Sequence, residues 1–60
     1  MHVKFGLSQA EFTSLVDAQD YKTLEEKLRG ALKAEKIREG DFQQCYDWLK
    51  KTASMNGKSL

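Results

Sequence analysis

Cys45 and His2 are the only thiol and the only imidazole in the sequence. They are the one pair that could form an activated nucleophile, with a thiolate attacking and an imidazole as its base. Their placement argues against that use. Cys45 falls in the apolar stripe of a predicted helix, where cysteine behaves as a small hydrophobe. A reactive thiol needs an accessible, electropositive setting. His2 lies near the start of the chain and is expected to be solvated. One His and one Cys cannot close a four-ligand zinc site, so no metal is expected. Glu25 and Glu26 are adjacent carboxylates, but consecutive helix positions point in different directions. Acids in a first helical turn also have a simpler use, complementing the helix dipole. Gly6, Gly30, Gly40 and Gly57 are too scattered to cradle a phosphate. These residues predict a protein that is not an enzyme, uses no cofactor and acts by binding.

The elements that must position any binding surface are few. Sixty residues make one domain, which buries only about 60% of its unfolded surface. With a single cysteine there is no internal disulfide to supplement a thin core, so regular helix packing or self-association must do so. Ten Lys and Arg stand against nine Asp and Glu, which leaves no strong field to steer nucleic acid or a membrane surface. Charged residues are 32% and hydrophobic residues 40% of the chain, a balance that favours a soluble folded domain over disorder. No run is long and apolar enough for a membrane span. Nothing at the N-terminus reads as a signal peptide, and a lone thiol suits a reducing compartment, so a cytoplasmic location is expected.

Proline is absent, which permits long helices. The first residues alternate: Met1, Val3, Phe5 and Leu7 are apolar, and His2, Lys4, Gly6 and Ser8 are not. That period predicts a short N-terminal β-strand. Ser8-Gln9-Ala10-Glu11 is a capping box, with Leu7 and Phe12 at the positions of a hydrophobic staple. A first helix follows to about residue 19. At about 100° per residue, Tyr21, Leu24 and Leu28 lie roughly 120° or more from Phe12, so the chain must break before the second helix. Asp20 and Thr23 both suit its N-cap. Gly40 reads as a helix stop and Asp41 as a start. In the third helix, Phe42, Cys45, Tyr46, Leu49 and Ala53 form one stripe. The predicted fold is all-α: a compact three-helix domain over residues 1–55, with helices at about 9–19, 22–36 and 41–54. The tail 56–60 is expected to be disordered. Phe12, Leu15, Leu24, Leu28, Phe42, Tyr46 and Leu49 are expected to centre the core.

Trp48 lies about 120° from Phe42 on the helical wheel, outside the core stripe. Thr52 and Met55 continue that flank, with Lys51 at its rim. Trp and Met away from a core are typical of protein-binding surfaces. The simpler use of Trp48 is to cover an open edge of the second helix or of the N-terminal segment. The basic residues of the second helix are interleaved with Glu25, Glu26, Glu35 and Glu39 at pairing distances, as on a solvated face.

The opening His2-Val3-Lys4-Phe5-Gly6-Leu7-Ser8, with Glu11-Phe12 and Leu15, resembles the start of ribbon-helix-helix repressors. That resemblance implies a strand paired across a dimer, with His2, Lys4 and Gly6 turned to the DNA major groove, where Gly6 offers no side chain to read bases. It covers about the first third of the chain; the interval before the second helix is short for that family, and a third helix follows. Gly40 with Trp48-Leu49-Lys50-Lys51 resembles part of a helix-turn-helix, which would place Gln43 and Gln44 towards DNA, although Asp41 and Asp47 would then face phosphates. Leu7, Phe12, Leu15, Thr23-Leu24-Glu25 and Tyr46 resemble, with gaps, the small Hha/YmoA nucleoid modulators.

The expectation that follows is a small regulatory or adaptor protein, of inhibitor or modulator type, that binds another protein through Trp48, Thr52, Met55 and Lys51. The alternative is a DNA-binding regulator using His2, Lys4, Gln43 and Gln44. A homodimer is expected on two grounds: a thin core without staples, and a lone N-terminal strand that would otherwise leave an exposed edge.

Overall fold

The computed structural model describes residues 2–60. Three α-helices follow a short 3-10 turn at His2–Phe5: α1 at Gln9–Asp17, α2 at Tyr21–Lys33 and α3 at Glu39–Met55. The three-helix architecture agrees with the apolar stripes in the sequence. The N-terminal strand does not form among the described residues; Met1 lies outside them.

The reason is local. Gly6 adopts φ +70°, a left-handed conformation that glycine reaches without steric cost. The turn closes with Gly6 N–H donating to Val3 O at 3.0 Å and Leu7 N–H donating to His2 O at 3.2 Å. A lone strand would have had no partner for these groups. The alternating pattern has a different outcome here: Phe5 is 1% exposed and Leu7 is buried, whereas Val3 is 72% exposed. With no strand edge among the described residues, the edge-pairing ground for a homodimer falls away.

The Ser8 cap forms as its motif requires. Its Oγ accepts from the Glu11 N–H at 3.2 Å, while the hydroxyl donates to Glu11 Oε1 at 3.3 Å. Asp20, rather than Thr23, caps α2: its carboxylate accepts from the Thr23 N–H and the Thr23 hydroxyl. Helix α3 begins at Glu39, with Arg38 as an N-cap that makes no side-chain bond. Gly40 therefore lies inside α3 and does not stop the preceding helix.

All three helices end alike. In α1, the Asp20 N–H reaches back to Leu15 O and the Gln19 N–H to Val16 O. In α2, Lys36 and Glu35 do the same to Ala31 and Leu32; in α3, Lys58 and Gly57 reach Ala53 and Ser54. This is the Schellman arrangement, which needs a left-handed residue just past the helix. Gln19 at φ +55°, Glu35 at φ +59° and Gly57 at φ +72° fill that place. Only one of the three is glycine, so the stops after α1 and α2 carry no glycine signal and both helices end earlier than the periodicity suggests.

Phe5, Leu24, Leu28 and Leu49 are the fully buried centre, joined by Leu7, Tyr21, Cys45 and Ala53. Phe12, Leu15, Phe42 and Tyr46, expected at that centre, pack only partly buried around it. Phe5, not expected at the centre, is part of it instead. Leu60 also rests against this cluster.

Candidate interaction surface

Cys45 is buried in the core, and burial pushes its thiol up from the ordinary range, an effect that the Lys4 charge partly opposes. At neutral pH this side chain is a protonated packing group. Glu25 is half-buried and pairs with Arg29 at 3.0 Å, whereas Glu26 is exposed. The adjacent carboxylates thus have separate surroundings.

The basic ring of α2 is partly committed to α3. Phe42 and Tyr46, one turn apart, stack with centroids 5.6 Å apart and planes 10° from parallel. The Arg29 guanidinium lies 5.7 Å from the Phe42 centroid and 5.4 Å from that of Tyr46, and Lys50 Nζ is 5.3 Å from the Tyr46 ring. Each such cation–π contact contributes about 0.5–1 kcal/mol at an exposed site. The hydrogen bond to Glu25 is the main cause that raises the Arg29 pKa above its already high ordinary value. This face joins α2 to α3.

The residues considered for DNA partly come together. Lys4 Nζ donates to Asp41 Oδ1 at 2.6 Å, which brings the N-terminal turn to the first turn of α3. Gln43 and Gln44 follow within that stretch, both exposed. Lys4 is spent on Asp41, and Gln43 Nε2 donates to Asp47 Oδ1 at 3.3 Å. His2 is half-buried. The pairing of Lys4 raises its own pKa and lowers that of Asp41, in both cases mainly through the shared hydrogen bond.

The α3 flank has a different character. Trp48 is half-buried because its ring meets Phe12, with centroids 5.9 Å apart, and Phe5 edge-on at 6.4 Å. Phe5 and Phe12 are themselves 5.3 Å apart. Trp48 therefore covers the N-terminal turn, as its simpler use anticipated, and also α1 rather than the second helix. Thr52 is half-buried, Lys51 is exposed, and Met55 is 83% exposed. One turn beyond Phe12, Val16 is half-buried.

These contacts bridge a gap. Helix α1 packs on α2 and on the N-terminal turn, and α3 does likewise, yet no Cα of α1 comes within 8 Å of one of α3. Side chains alone span the seam: Trp48 on Phe12 near its start, and Gln19 Nε2 donating to Asn56 Oδ1 at 3.4 Å past its end. No residue of α1 is fully buried. The contribution of Phe12 to this seam was hidden in the sequence, where it read as a core position.

Among the described residues no helix is long and apolar enough to cross a membrane. Comparison with known proteins returns no matching family model, no matching curated protein and no matching solved structure.

Proposed function

We propose that this protein is a non-enzymatic binding module, a regulator or adaptor whose target is another protein. The observation that supports this reading most is the half-covered α1–α3 seam. Trp48 meets Phe12 across two helices that do not approach closely, with half-buried Val16 and Thr52 one turn further along each helix, exposed Met55 beyond, and Lys51 at the rim. Trp48 and Phe12 pack on each other at 5.9 Å and both stay half-buried, so part of each ring is left for a partner. Pre-ordered aromatic and Met side chains are what protein interfaces favour at their centres. The DNA alternative has less support, because Lys4 is neutralised by Asp41 and Gln43 is turned to Asp47.

The test is co-purification from the native cell, with and without nuclease, using the native chain and two variants, Met55→Glu and Val16→Glu. Neither residue is fully buried, so both variants should fold. A protein partner that survives nuclease and binds each variant about tenfold or more weaker supports the reading. A partner lost on nuclease treatment, with affinity falling steeply with salt, would replace it with the nucleic-acid reading.

A further inference from the structure

Just past the C-terminal end of α3 lies an Asn-Gly pair, Asn56–Gly57, whose side chain and backbone are both hydrogen-bonded. Asn56 Nδ2 donates to Tyr21 OH at 2.9 Å and to Thr52 O at 2.9 Å. Its Oδ1 accepts from Gln19 Nε2. The carbonyl of Thr52 can only accept, so that position requires an amide nitrogen. The side chain of Asn56 thus ties the end of α3 to the first residue of α2 and to the turn before it. The Gly57 N–H is engaged as well, donating to Ser54 O at 3.1 Å.

We propose that Asn56–Gly57 is a self-modification site, a deamidation site whose rate is gated by this latch. The chemistry needs only water and base. The Gly57 backbone nitrogen gives up its proton to hydroxide and attacks Cγ of Asn56. The new N–Cγ bond closes a five-membered ring, the Cγ–Nδ2 bond breaks, and Nδ2 leaves as ammonia after taking a proton from water. Water then opens the succinimide at either carbonyl, giving aspartate or isoaspartate at position 56. Nothing is oxidised or reduced. Glycine after asparagine favours the attack because no side chain obstructs the approaching nitrogen.

The folded geometry withholds both reactants. At ψ 15° for Asn56, the Gly57 nitrogen lies nearly eclipsed with Asn56's own nitrogen, turned away from the side-chain carbon. Reaching Cγ requires rotation about that bond, which breaks the Gly57 and Lys58 bonds that close the helix. It also requires the Asn56 amide to leave the three hydrogen bonds that Nδ2 and Oδ1 make. The product works against the latch that delayed it. An aspartate carboxylate cannot donate to Thr52 O, and it sets a negative charge at the negative end of the α3 dipole. Deamidation would therefore loosen the tie between α3 and the α1–α2 turn, beside Met55.

The intact chain, incubated at neutral and mildly alkaline pH, tests this by peptide mapping for isoaspartate at position 56. The folded chain should convert about tenfold or more slowly than the same chain in urea, since reaction must wait for local opening. Tyr21→Phe, which keeps the buried ring and removes the hydroxyl, should raise the folded rate several-fold. Gln19→Ala gives the same readout from the exposed side of the amide if Tyr21→Phe fails to fold. Equal rates in the folded and urea-unfolded chains, no conversion at position 56 in urea, or an unchanged rate in the folded latch variants would overturn the proposal.

Discussion

Helices α2 and α3 meet through Leu24, Leu28, Cys45, Leu49 and Ala53, all buried, whereas α1 buries no residue fully. The contrast is not one of composition, since α1 carries Phe12, Leu15 and Val16 at helical spacing. It comes from what lies opposite. Phe5, folded inward by the Gly6 turn, fills the centre from the N-terminal side, and α1 is left to cover that plug from outside. A short chain that spends its buried volume on two long helices and one inserted aromatic leaves its third helix as a flank. A flank with few buried contacts is low in local stability, and such elements are the ones available for binding.

Substitutions can break or sharpen this contrast. Leu28→Ala should have the largest effect, about 3 kcal/mol, because Leu28 is fully buried and the surroundings relax only partly. That loss would consume much of the stability of so small a domain; a thermal melt followed by circular dichroism reads it, and an unchanged midpoint would place the core elsewhere. Trp48→Ala should follow at about 2 kcal/mol, through its ring contacts with Phe5 and Phe12. A Trp48→Ala variant with native stability would mean that the seam is not held by these rings. Leu15→Ala, on the flank, should cost about 1 kcal/mol or less in urea denaturation, since its side chain is only partly removed from water.

The smallest effect concerns the exposed Lys4–Asp41 pair. Its hydrogen bond holds the Asp41 carboxyl below its ordinary value of 3.8. The stabilisation is therefore fully present above that value and is lost as pH falls through the lower folded one. Denaturation midpoints measured from about pH 5 down to about pH 2 should fall less in Asp41→Asn than in the native chain. Parallel curves would show that the pair contributes nothing.

The closed half of the molecule was legible in the sequence and the flank was less so. Leu24, Leu28, Cys45 and Leu49 fall on helical stripes whose period needs no knowledge of neighbours. Phe5 was misplaced because alternation over a few residues suits a strand and a glycine-closed turn equally well; nothing local says whether a second strand exists. The stops after α1 and α2 were displaced because Gln19 and Glu35 take the left-handed place that glycine usually marks. Trp48 lies off the line of Cys45, Leu49 and Ala53 by its angle, yet it packs half-buried against Phe5 and Phe12. Which surface covers it depends on how α1 crosses, and helical period carries no such information.

Native-state amide hydrogen exchange tests the division between core and flank most directly. The amides of Leu28 and Leu49 should exchange only through global unfolding, and those of Leu15 and Val16 through a local opening of lower free energy. The difference should vanish when denaturant brings global unfolding within reach of the local opening. Equal protection of α1 and of the α2–α3 pair in the absence of denaturant would contradict the account, because the chain would then unfold as one unit with no separable flank.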